Sequence, residues 1–93
     1  MSILNVTVTN SAAAPTDKVS GVSLSVNRRY LIVHNPSKSG YLAFTFDGTT
    51  PAIETNGFTL FPGGTFVSDQ YAMPGNMLMI SSLASQSATI YWS

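Results

Sequence analysis

Leu4, Val6 and Val8 alternate with Ile3, Asn5, Thr7 and Thr9, a period of two that predicts a half-buried strand over residues 3–9. Val22, Leu24 and Val26 alternate with Gly21, Ser23 and Ser25 and predict a second, with Val19 brought into register by a bulge near Ser20 and Gly21. Tyr30, Leu31, Ile32 and Val33 form a continuous β-branched and aromatic run, the pattern of a strand covered on both faces. Leu42, Phe44 and Phe46 alternate with Tyr41, Ala43 and Thr45, and the polar residues 35–40 between the two runs carry Pro36 and Gly40. Residues 28–46 therefore read as a hairpin at the centre of the sheet. Phe58 and Leu60, a Pro62-Gly63-Gly64 turn of type II character, and Phe66 and Val67 read as another hairpin. Met77, Leu78, Met79 and Ile80 make a short apolar strand, and Ala88, Ile90 and Trp92 alternate with Thr89 and Tyr91 in the last one.

The remaining segments are connections. Residues 10–17 hold three alanines, but Pro15 and the surrounding Ser and Thr leave too little chain for a helix. Residues 49–56 are polar apart from Ile53 and could cross from one sheet to another. The pattern predicts an all-β chain of about eight short strands with turn signals every 8 to 12 residues or so, and no amphipathic helix. A single antiparallel β-sandwich over residues 1–93, jelly-roll or immunoglobulin-like, fits this spacing, and strand order is left open.

Composition changes the picture in one respect. Charged residues are 9% of the chain, against roughly 25% in an ordinary soluble domain. With 44% hydrophobic residues the chain still collapses, so its exterior must be neutral and rich in Ser, Thr and Asn. Four basic and four acidic residues cancel, which leaves no field to steer nucleic acid or an anionic membrane. The adjacent pair Arg28 and Arg29 reads as a solvated strand entrance. A chain this small buries only about 60 to 65% of its unfolded surface, and without cysteine it has no disulfide to add. Association with copies of itself or with a larger surface is the expected supplement. No secretory signal and no membrane-spanning apolar run is apparent, so synthesis in a cytoplasm without export by the usual route is expected, and the Asn5-Val6-Thr7 sequon reads as a chance match.

Reactive groups are too few for an enzyme. His34 is the only histidine, and it reads as a residue near the sheet's end bonded to loop backbone. Asp17, Asp47, Glu54 and Asp69 each stand alone in a loop or turn, where neither a glycosidase pair nor a calcium loop is formed. No phosphate-binding or dinucleotide glycine motif occurs, so no cofactor and no metal are expected.

The aromatics are the candidate functional groups. Alternation points Tyr41, Phe61 and Tyr91 away from Phe44, Leu60 and Ile90, and ten aromatic rings exceed what so small an interior should hold. Tyr41, Phe61, Tyr71, Met73, Met77, Tyr91 and Trp92 are the expected adhesive residues, since methionine and aromatics are enriched at protein interfaces. Tyr91 and Trp92 could instead form a sugar platform.

Arg29 to Ser37, RYLIVHNPS, followed by Gly40, Leu42-Ala43-Phe44, Asp47-Gly48-Thr49, Leu60-Phe61-Pro62-Gly63-Gly64 and a late Met-Pro-Gly turn, resembles small bacteriophage virion proteins. The likeness spans residues 28–92, with His34 where another polar residue is more usual. It implies a non-enzymatic virion structural protein, a capsid decoration or cement protein that binds the outside of the shell. The implied partners are the major capsid protein or other virion proteins; the surplus aromatic surface predicts further copies of this chain as partners too, in a homo-oligomer, a trimer. The alternative is a carbohydrate-recognising module or a component of the tail or fibre.

Overall fold

A computed structural model of the 93-residue chain describes residues 2–22, 24, 29–68 and 75–93. Seven strands form: β1 (Ser2–Thr9), β2 (Leu31–His34), β3 (Leu42–Thr45), β4 (Phe58–Leu60), β5 (Thr65–Ser68), β6 (Leu78–Ser81) and β7 (Ser85–Trp92). They make two antiparallel sheets, one in the order β1-β7-β2-β5 and one in the order β4-β3-β6, with no helix among the described residues. The expected all-β sandwich is the observed architecture.

Pairing is nested in chain order. The first strand pairs with the last, Leu4 opposite Ile90, while β2 pairs with β5 and β3 with β4. Between the outermost pairs, Ala13 bridges Met79 of β6 through two backbone hydrogen bonds of 2.9 and 3.1 Å. A long hairpin rolled up in this way is a jelly roll, with the segment around Ala13 standing in for an eighth strand.

The turns reverse the chain as the residues require, but they join different strands from those expected. β2 and β3 lie in separate sheets, so residues 28–46 are not a hairpin; the Asn35 to Tyr41 connection crosses the sandwich. Gly64 N donates to Phe61 O at 2.8 Å and Gly63 has a φ of 78°, which is the type II turn predicted there. That turn nevertheless leads from β4 in one sheet to β5 in the other. Conversely, residues 46–57 return within one sheet, joining β3 to β4. A turn dictates reversal only; which sheet receives the returning strand is decided by the burial it gains there. The strand expected around Val22 is absent among the described residues: Val22 is exposed, and the chain is held in a turn by Asp17, which accepts from Val19 N, Ser20 N and Ser20 Oγ. Ser23, Ser25 and Val26 lie outside the described residues.

Leu4, Val6 and Val8 of β1 meet Leu31, Val33, Leu42, Met79, Ala88 and Ile90 between the sheets. At one end Phe44 packs against Phe46, Phe58 and Phe66, with ring centroids 5.7, 5.7 and 5.2 Å away. Each such ring pair adds about 0.5–1.5 kcal/mol beyond the area it buries. β2 is not covered on both faces: Leu31 and Val33 are buried, but Ile32 and His34 are half-exposed.

The two sheets differ on their outer sides. In the three-stranded sheet Ala43 and Thr45 are buried although they point away from Leu42 and Phe44. The 46–57 connection is tied over them: Thr45 Oγ1 donates to Thr49 O at 2.6 Å, Glu54 N donates to Thr59 Oγ1 at 2.8 Å, and Pro51 is fully buried. The four-stranded sheet has no comparable cover among the described residues, and its outer positions carry most of the exposed strand side chains described.

Candidate interaction face

Cross-strand register sorts the outer side chains of the four-stranded sheet into rows. Ile3 stands opposite Tyr91, Tyr91 opposite Ile32, and Ile32 opposite Val67, so one apolar row runs across all four strands. Ile3 is 50% and Val67 56% exposed, while Tyr91 and Ile32 between them are half-buried by their neighbours. The adjacent row is Asn5, Thr89, His34 and Thr65, followed by Thr7 with Ser87 and Thr9 with Ser85. The face is apolar at one end and hydroxyl-bearing at the other, and no Asp, Glu, Lys or Arg lies on these strand positions.

His34 belongs to this face. Its Nδ1 lies 3.0 Å from Thr65 Oγ1, its register partner on β5, in place of the loop backbone contact expected for it. Among the described residues no three His, Cys, Asp or Glu side chains converge as a metal site would require.

Of the residues singled out in the sequence, Tyr91 lies in the apolar row. Trp92 follows it on the strand and so points to the other side, where it packs against the core with its Nε1 enclosed and without a hydrogen-bond partner among the described residues. The two rings cannot stack together on one sugar. Met77 is only 3% exposed and belongs to the core, a correction to its expected place on the adhesive surface. The apolar phase that marks Met79 as inward reaches Met77 as well. Tyr71 and Met73 lie outside the described residues.

Tyr41 and Phe61 form a separate patch. Their rings meet edge to face at 5.4 Å, and Phe61 is 58% exposed. The sequence reading missed what holds them there. Asn35 is completely buried, and its Nδ2 donates to Gly40 O at 2.8 Å and to Phe61 O at 3.2 Å, on the residues next to and within the patch. Its Oδ1 accepts from Ser37 N and from Gln86 Nε2, and Gln86 Oε1 in turn accepts from Ser81 Oγ at 2.6 Å. The signal was Gln86 itself, which falls in phase with the inward Ala88 and Ile90.

Fold and face together define a small jelly-roll sandwich with one closed sheet and one open, uncharged sheet. No protein-family profile matches the chain, and neither a curated protein nor a solved structure is similar to it.

Proposed function

We propose that the chain is a non-enzymatic adhesion protein that works by laying the outer face of its four-stranded sheet on a protein surface. The apolar row Ile3, Tyr91, Ile32 and Val67 carries this reading, because a four-strand stripe of exposed and half-exposed apolar groups, with no charged residue on the strand positions around it, favours contact over solvation. The resemblance of residues 28–92 to small phage virion proteins supports taking that surface as the outside of a bacteriophage shell, with the chain as a decoration or cement protein. Jelly rolls recur in viral particle proteins, which supports the reading by analogy of fold only.

Size argues for repetition. The face spans three strand spacings, roughly 15 Å, and so covers well under the 800 Å² or so per partner of a standard interface. One contact is therefore weak. Many copies on a lattice, or a trimer of this chain engaging three sites, multiply it through effective concentration. Binding to the assembled shell and not to its separated parts then stabilises the shell by mass action.

Imaging of particles that carry the chain tests this. Density on the shell lattice that vanishes for an Ile3→Lys, Val67→Lys double variant is the expected result; density at the tail, or unchanged occupancy by the variant, overturns it.

A further inference from the structure

Away from the sheet face, a cleft of about 300 Å³ is lined by Thr45, Phe46, Asp47, Asn56, Gly57 and Phe58. Two of its walls are aromatic. Phe46 and Phe58 stand at 62° with centroids 5.9 Å apart, and Phe58 is 43% exposed. Gly57 lines the cleft at a φ of 90°, and a Cβ there would overlap the carbonyl oxygen of Phe44.

Among the described residues the side-chain polar groups of the cleft offer acceptors. Asp47 Oδ1 accepts from Thr49 N at 3.1 Å and Thr49 Oγ1 at 2.6 Å, which orients the carboxylate and holds its pKa below the ordinary value, so it is ionised at neutral pH. No other described residue donates to Oδ2. Asn56 Nδ2 is committed to Thr50 O at 2.8 Å and Thr49 Oγ1 at 3.5 Å, which leaves its Oδ1 as acceptor. The Thr45 hydroxyl proton is already given to Thr49 O. An anion is repelled here, and a sugar, which needs donors as well as acceptors, is half-served.

We propose that this cleft binds an ammonium or guanidinium group, the end of a lysine or arginine side chain of a partner protein. Its N–H groups bond Asp47 and Asn56 while its charge lies against the Phe58 ring, the arrangement in which a cation gains from carboxylate and quadrupole together. The volume is at the small end for a ligand site, suited to a side-chain terminus. This inference is independent of the sheet face and stands if that reading fails.

The test is a ¹H–¹⁵N NMR titration of the intact chain with acetyl-arginine methylamide and acetyl-lysine methylamide, with acetyl-norleucine methylamide and glucose as neutral probes. Saturable shifts at Gly48, Gly57 and Phe58 with the cationic probes are expected. Asp47→Asn keeps the Oδ1 acceptor for Thr49 and so keeps the loop, yet weakens binding about tenfold; Phe58→Leu weakens it less. Absence of saturable shifts, equal response to the norleucine probe, preference for glucose, or indifference to Asp47→Asn each overturns the proposal.

Discussion

Gln86 Nε2 donates to Asn35 Oδ1 across 3.0 Å although 51 residues separate them, and both side chains are buried. Asn35 spends its whole amide on this junction, giving Nδ2 to carbonyls of Gly40, Leu60 and Phe61 and receiving Ser37 N and Gln86 at Oδ1. Asn35→Ala leaves Gln86 and the enclosed carbonyls unsatisfied and is expected to cost about 3 kcal/mol. Urea unfolding measures this directly, and a thermal midpoint lower by roughly 15 °C accompanies it.

Gly40 is required by the same junction. A Cβ there would overlap Gln86 Oε1 and lie 2.7 Å from Leu83 Cδ1. Gly40→Ala is expected to destabilise by about 1–3 kcal/mol through overpacking. Combined with Gln86→Ala the cost should be less than the sum of the two single changes, and a double-mutant cycle detects the difference.

Met77 and Val67 separate core from face. Met77→Lys places an unpaired ammonium among buried apolar groups and is expected to cost about 4 kcal/mol or more, enough to unfold much of the population. Val67→Lys changes an exposed position and should shift stability by no more than about 0.5 kcal/mol. Circular dichroism and urea midpoints of the two variants give the contrast.

Asp17 makes stability depend on pH in the acid range. Hydrogen bonds from Ser20 N, Asn5 N and the Ser20 hydroxyl, with a further one from Val19 N, favour the carboxylate, so its pKa falls from 3.8 to about 2. A lowered pKa means the unfolded chain binds the proton more readily. The stabilisation is complete above pH 3.8 and is lost as pH falls through about 2. The amide of Asn5 should report the titration by NMR, and Asp17→Asn should flatten the dependence between those limits.

β1 and β7 were legible because their burial alternates along most of their length: Leu4, Val6 and Val8 are inward, as are Ala88 and Ile90. The Pro62-Gly63 turn was legible because its geometry is set locally. What the residues could not convey was partnership between sheets, since β2 and β3 have the sequence of a hairpin and are separated only by a crossing that Asn35 stabilises from within. The apolar row was hidden for the same reason: Ile3, Ile32, Val67 and Tyr91 are unremarkable singly and become neighbours only through register.

Pairing the first strand with the last has a consequence for synthesis. Ile3 is synthesised long before its partner Tyr91, so the stripe is incomplete until β7 has been made. Chains that stop before β7 lack the strand that joins Ile3 to Ile32, and so cannot assemble the stripe.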